Sequence, residues 1–137
     1  MAAVRAAAAH LLVGSQTLEA DQFADLGVVD TASWLVPQWR GRGVGREMRA
    51  AVLHLAFAEL GAVAAVTSAW HDNHASLGVS RSLGYLDNGY ELHARGDRAD
   101  RMERLILTVD RWRDLADLAT VDIAGLRPCL PLFGLSG

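Results

Sequence analysis

The chain has 137 residues, 51% of them hydrophobic, with a formal net charge of −3, 13 basic residues that are all arginine, and one cysteine. That length suits one domain with a buried core and is short for a two-lobed enzyme. The balance of charge argues against nucleic acid as a partner, and the lone Cys129 excludes an internal disulfide and a cysteine metal cluster, in keeping with a reducing, cytoplasmic setting.

The run from Ala2 to Ala9 has high helix propensity but little apolar weight, which predicts a frayed or peripheral helix. It does not read as a secretory signal, and no run approaches membrane-spanning length. Leu11 to Leu18 reads as a strand, with Gly14 as a candidate bulge. Glu19 to Leu26 reads as a loop or single turn that tucks Phe23 and Leu26 inward. Val28 to Val36 is a second strand, and Pro37, which has no N–H, ends its pairing. From Gly43 to about Leu60 the spacing is helical, with Val44, Met48, Val52 and Leu55 on the apolar side and Arg42, Arg46 and Arg49 opposite them near the amino end. Gly61 closes this helix, and Ala62 to Trp70 is a short buried strand. A further helix runs to about Leu83, where Gly84 caps it. Tyr85 to His93 is strand-like but interrupted by the turn signal Asp87-Asn88-Gly89. A polar loop, Ala94 to Arg101, leads to an antiparallel partner, Met102 to Val109. Asp110 then opens a helix from Arg111 to Ala119, Val121 to Ile123 returns as a strand, and the tail with Pro128 and Pro131 is irregular.

The chemistry concentrates at the first strand-to-helix turn, Arg40-Gly41-Arg42-Gly43-Val44-Gly45. Alternate glycines let backbone approach an anion, and the first N–H groups of a helix lack internal partners. The plain alternative is a helix entry that needs flexible backbone. A P-loop is excluded because the chain has no lysine, and a dinucleotide fingerprint because Arg46 stands where its third glycine belongs. The loop resembles the acyl-CoA-binding motif of GCN5-related N-acetyltransferases, Gln/Arg-x-x-Gly-x-Gly/Ala. About thirty residues on, Asn73-x-x-Ser76-x-x-Val79-Ser80-x-x-Leu83-Gly84-Tyr85 resembles motif B of the same family, especially its ribosomal-protein N-terminal acetyltransferase branch. The two motifs together are far more specific than either alone, and the resemblance covers roughly Leu11 to Trp112.

The resemblance implies an α/β (α+β) fold, with a mixed, mostly antiparallel sheet flanked by helices and acyl-CoA held where two central parallel strands, Val28 to Val36 and Ala62 to Trp70, splay apart. Arg40, Gly41, Arg42, Gly43, Val44 and Gly45 are implied to wrap the pyrophosphate of acetyl-CoA. Backbone groups of Leu35 and Val36 are implied to pair with the pantetheine amides, and Asn73 to bond the cofactor arm. The implied reaction is acetyl transfer to a primary amine, on a small molecule or a protein amino terminus, by direct attack in a ternary complex without a metal. Such a reaction needs a proton taken from the amine and one returned to the leaving thiolate. Ser76 is the candidate donor, with a helix-capping or cofactor-orienting hydroxyl as its alternative role. Glu19 is the favoured base, with Asp21, His71, His74 or a water as alternatives. His71 and His74 lack an evident third ligand for a metal, His54 reads as a core or flank histidine, and Trp34 and Trp39 are candidates to line the site.

Two departures from the family stand out. The tyrosine that many members carry seven residues after the motif B asparagine is here Ser80. Only the alanine-rich Met1 to His10 precede the strand at Leu11, where the family has a strand and two helices, so the front end reads as truncated. The expected organisation is one unit, 1–137, with its core at about 11–112 and a C-terminal extension at 113–137. Exposed strand edges favour a homodimer. A catalytically silent acyl-CoA-binding or interaction module is the competing expectation.

Overall fold

The computed structural model describes residues 2–6, 11–115 and 121–136. Six strands, β1 (Ala2–Ala6), β2 (Leu11–Glu19), β3 (Val28–Leu35), β4 (Ala64–Trp70), β5 (Leu86–Arg95) and β6 (Arg98–Thr108), form one sheet in the order β1-β2-β3-β4-β6-β5. Every neighbouring pair is antiparallel except β3 with β4. Parallel neighbours need a crossover, and here it is α2 (Val44–His54), which begins at the glycine loop. The shorter helices are α1 (Phe23–Leu26), α3 (His74–Ser82) and α4 (Val109–Leu115).

The core lies where α2 covers the sheet, with Val29, Leu53, Ala65, Leu105 and Leu107 all buried in one cluster. Past His54 the helix widens into a π-helical turn, Leu55–Glu59, in which the Leu60 N–H bonds the Leu55 carbonyl at 3.0 Å. That turn buries Phe57 and sets it 5.1 Å from the Trp112 ring of α4.

β3 and β4 share only three registers, Val28 with Ala64, Val29 with Ala65 and Asp30 with Val66. One more link follows, from the Thr67 hydroxyl to the Thr31 carbonyl at 2.8 Å, and then the strands part. β2 stays paired to β3 as far as Gly14 with Leu35, and β6 stays paired to β4 as far as Met102 with Trp70. The opening is thus a split within a continuous sheet, as the paired-motif reading expected.

Several expectations are corrected. The alanine run forms β1, a strand antiparallel to β2, rather than a helix. Backbone partners along the free edge of β2 outweigh the weak propensity of so short a segment, while residues 7–10 lie outside the described residues. The β1–β2 register shift skips Val13, next to Gly14. Leu26 is 55% exposed, because α1 is a single turn and only Phe23 reaches the core. The turn signal at Asp87-Asn88-Gly89 is a bulge inside a continuous β5, and the polar stretch 94–101 is a tight hairpin in which Arg95 pairs with Arg98. Val121 to Ile123 forms no strand. The tail is ordered: a 3-10 segment, Arg127–Phe133, places Phe133 edge-on to Phe23 at 5.9 Å, and Leu130 and Leu135 pack on the core. Of the predicted helix to Ala119, residues 116–120 lie outside the described residues.

Candidate active site

The split between β3 and β4 opens into a cleft of about 460 Å³ lined by Ser33, Trp34 and Leu35 of β3, the loop and first turns of α2, and Asn73, Ser76 and Val79 of α3. Its mouth is the glycine loop. Gly41 has φ 74° and Gly43 φ 80°, left-handed values that cost any other residue strain. Gly43 is also the N-cap of α2 and offers no side-chain cap. The first backbone bond of the helix runs from the Glu47 N–H to the Gly43 carbonyl, so the N–H groups of Val44, Gly45 and Arg46 have no intrahelical partner. Those donors, at the positive end of an eleven-residue helix and beside Arg40 and Arg46, make the mouth an anion site. Arg40 is held by its Nε on the Leu35 carbonyl at 3.1 Å, and Arg42 lies over the Trp39 ring at 4.9 Å.

The β3 wall follows strand alternation. The Val36 N–H is bound to the Val13 carbonyl at 2.8 Å, so this backbone donor faces β2 and not the cleft. The Thr31 carbonyl faces β4 through Thr67, and Ser33 and Leu35 share its parity. Of the two residues expected to offer backbone groups to a ligand, Leu35 lines the cleft, while the N–H of Val36 is already committed. Ser33 is the wall residue that sequence reasoning did not single out.

α3 begins where Asn73 caps it, its Oδ1 accepting from the Ser76 N–H at 3.2 Å. Asn73 and Ser76 both line the cleft beside this cap. Ser80, one turn further, is buried and accepts from Arg49 Nη1 at 3.2 Å. Arg49 corrects the expectation of a polar side for its helix, being only 2% exposed. Its Nη2 donates to the Ser33 hydroxyl at 3.2 Å, and its guanidinium lies 5.8 Å from the centre of the Tyr85 ring. The Tyr85 hydroxyl lies 3.2 Å from that of Thr31, and burial pushes the phenol pKa up, so the ring stays neutral beneath the arginine. The signal that could have placed Arg49 is its position three residues before Val52 and four before Leu53, on the packed stripe of α2.

The base candidates are not brought to the cleft. Glu19 ends β2 opposite Asp30, where β3 and β4 are still joined. Burial, then the Glu19 charge, raises the Asp30 carboxyl above its ordinary value. Asp21 is exposed in the turn before α1. His71 pairs with Asp100 at 2.9 Å, and Asp100 shares Arg95 with Asp72. The hydrogen bond from Arg95 is the main cause holding the Asp72 carboxyl below its usual range, and the Arg101 N–H does the same for Asp100. His74 is exposed at the first turn of α3, and His54 meets Trp112 edge-on at 6.2 Å. Among the described residues no group of three or more His, Cys, Asp or Glu is placed to hold a metal ion. Trp34, 54% exposed, forms part of the cleft wall.

Known structures share this arrangement of strands and helices. The chain superposes on mutant forms of the spermidine/spermine N-acetyltransferase SpeG from Vibrio cholerae with a TM-score of 0.75, at 14% identity, covering 84% of this chain and 69% of that one. For a ribosomal-protein-S5-alanine acetyltransferase from Vibrio fischeri the TM-score is 0.73 at 15% identity, covering 80% and 61%. For a GNAT-family acetyltransferase from Bacillus anthracis it is 0.72 at 16%, covering 79% and 65%. The chain thus spans about two thirds of the length of these relatives, and at such identities the likeness speaks for the fold. The sequence itself matches the family model described as an acetyltransferase (GNAT) domain over residues 2–86, from β1 through the glycine loop and motif B. That match takes in well over half of the chain, which belongs to the GNAT acetyltransferase family.

Proposed function

We propose that the chain is an acetyl-CoA-dependent N-acetyltransferase acting on a primary amine, with residues 1–137 working as one acyltransferase unit. The observation that carries this reading is the β3–β4 split opening directly onto the uncapped amino end of α2. The cradle fits the group: a Cβ added at Gly41 or Gly43 meets nothing within 4 Å, so the left-handed loop leaves open space for a bulky anion. Backbone donors of Gly43 to Arg46, with Arg40 and Arg42, hold the pyrophosphate in this reading. The Leu35 and Ser33 edge offers strand-like pairing to the pantetheine amides, and Asn73 orients the arm.

In the reaction the amine nitrogen attacks the thioester carbonyl, the carbon–sulfur bond breaks, CoA departs as a thiol, and the amine loses a proton. The Ser76 hydroxyl, in the cleft wall, is our candidate donor to the sulfur. Glu19 lies outside the cleft, so loss of the amine proton through water to bulk fits the geometry better than direct abstraction by that carboxylate.

A second reading, a binding module without turnover, is favoured by one observation: Ser80, at the position of the family tyrosine, has its hydroxyl engaged by Arg49 inside the protein. The test is free-thiol release from acetyl-CoA in the presence of a polyamine or an alanine-terminated peptide, the acceptor types named for two of the structural relatives. Amine-dependent release that is lost in Gly43→Trp supports the enzyme. Binding of acetyl-CoA with no release for any amine supports the module.

A further inference from the structure

Arg49 is a permanent cation inside the protein without a permanent anion. Its two hydrogen bonds go to the neutral hydroxyls of Ser33 and Ser80, and its Nε has no partner. Among the described residues no carboxylate lies within ion-pair distance of it. Asp30 feels its field but forms no ion pair with it. A buried guanidinium is strongly disfavoured unless an anion and further hydrogen bonds complete it, so this one is built to receive a charge from outside the chain.

The position narrows the choice. Arg49 and Ser33 both line the cleft. Arg49 lies four residues past Gly45 along α2, about 6 Å deeper than the mouth. On β3, Ser33 is two residues inward from Leu35 and two short of Thr31, where the Thr67 link closes the split. The phosphates of CoA are matched at the mouth by the open helix end and the exposed arginines. They leave nothing negative for the closed end, and an acetyl methyl brought there removes residual water from Arg49 without returning a hydrogen bond.

We propose that Arg49 extends the donor range of this cleft beyond acetyl-CoA to carboxylate-bearing acyl groups, so that a short dicarboxylic acyl-CoA such as malonyl- or succinyl-CoA is bound more tightly than an uncharged acyl-CoA of the same length. A terminal carboxylate accepts from the guanidinium by the charge-assisted bonding that its planar fork favours. The transfer chemistry is unchanged: the amine nitrogen bonds the thioester carbon, the carbon–sulfur bond breaks, CoA leaves as a thiol, and the distal carboxylate remains on the amide product. This inference rests on the acyl-CoA reading of the cleft.

The test is calorimetric titration of the whole chain with CoA, acetyl-CoA, butyryl-CoA and succinyl-CoA, butyryl being the uncharged match to succinyl in length. Succinyl-CoA is expected to bind at least about 10-fold tighter than butyryl-CoA. In R49Q that ratio is expected to fall toward one, and in R49K to be partly retained. Equal binding of succinyl- and butyryl-CoA by a wild type that binds CoA overturns the inference and leaves the acyl-CoA reading standing. Failure of the folded wild type to bind CoA at all overturns both. The wild-type ranking decides even if the variants do not fold.

Discussion

Gly14 carries the sharpest steric constraint on the cleft wall. It sits on β2 opposite Leu35, and a Cβ built on it runs into the Trp34 carbonyl oxygen while lying 2.9 Å from Leu35 Cδ2 and 3.1 Å from Leu35 Cα. Backbone cannot rotate away as a side-chain end can, so Gly14→Ala must push the end of β3 outward. Overpacking of this kind costs about 1–3 kcal/mol, and contact with backbone on a strand paired on one side places this case at the upper end, about 3 kcal/mol. For a chain of this size that corresponds to a fall in melting temperature of about 10 °C. Gly78 supplies the control. It lies within α3, and a Cβ there meets nothing within 4 Å. Gly78→Ala therefore gains helix propensity and is expected to stabilise by about 0.5–1 kcal/mol. Urea unfolding followed by far-ultraviolet circular dichroism measures both. Opposite signs for one substitution at two glycines support the packing described for β2 and β3. A Gly14→Ala variant within about 0.5 kcal/mol of wild type would refute it.

Three further outcomes follow from other parts of the structure. Asn73→Ala removes the cap bonded to the Ser76 N–H and is expected to cost about 1 kcal/mol in urea unfolding, with weaker acetyl-CoA binding; unchanged stability would mean the cap is replaced by another group. Leu105→Ala, at a fully buried core position on β6, is expected to cost about 2–5 kcal/mol, and a loss below 1 kcal/mol would contradict the placement of the core. The Asp72 carboxyl is held low mainly by its bond from Arg95, so the stability it contributes is complete above the ordinary aspartate range and is lost as pH falls through its lowered folded value. In Arg95→Gln the Asp72 carboxyl carbon resonance is expected to titrate at higher pH than in wild type, and an unmoved midpoint would dissociate the two groups.

The central βαβ unit was legible because its signals are local: Pro37 ends a strand, glycines open α2, and Gly61, with φ 73°, closes it. The start of α3 at motif B was legible because a cap and its partner lie within one turn, but the capping side chain is Asn73, whereas the sequence reading offers capping as an alternative role for the Ser76 hydroxyl. Arg49 was not. Its role depends on Ser33, sixteen residues back, and Ser80, thirty-one residues on, and helical spacing around an arginine is read as a polar face unless the neighbouring stripe is weighed against it. The front segment failed for a similar reason. Alanine favours helix in isolation, but Ala2–Ala6 pairs along β2, and a free strand edge is a tertiary fact. The bulge in β5 carries the same residues as a hairpin turn, because Gly89, at φ 83°, adopts the left-handed conformation that both require.

The most direct measurement is a map of backbone amide shifts in isotope-labelled protein titrated with acetyl-CoA. If acyl-CoA enters the split of the sheet, the amides of Ser33 to Leu35, Gly41 to Arg46 and Asn73 to Ser76 shift together and saturate with one dissociation constant, while those of the β5–β6 hairpin tip stay in place. Saturable shifts confined to the hairpin, or a folded protein with no shifts at any of these residues, would contradict the assignment of the cleft.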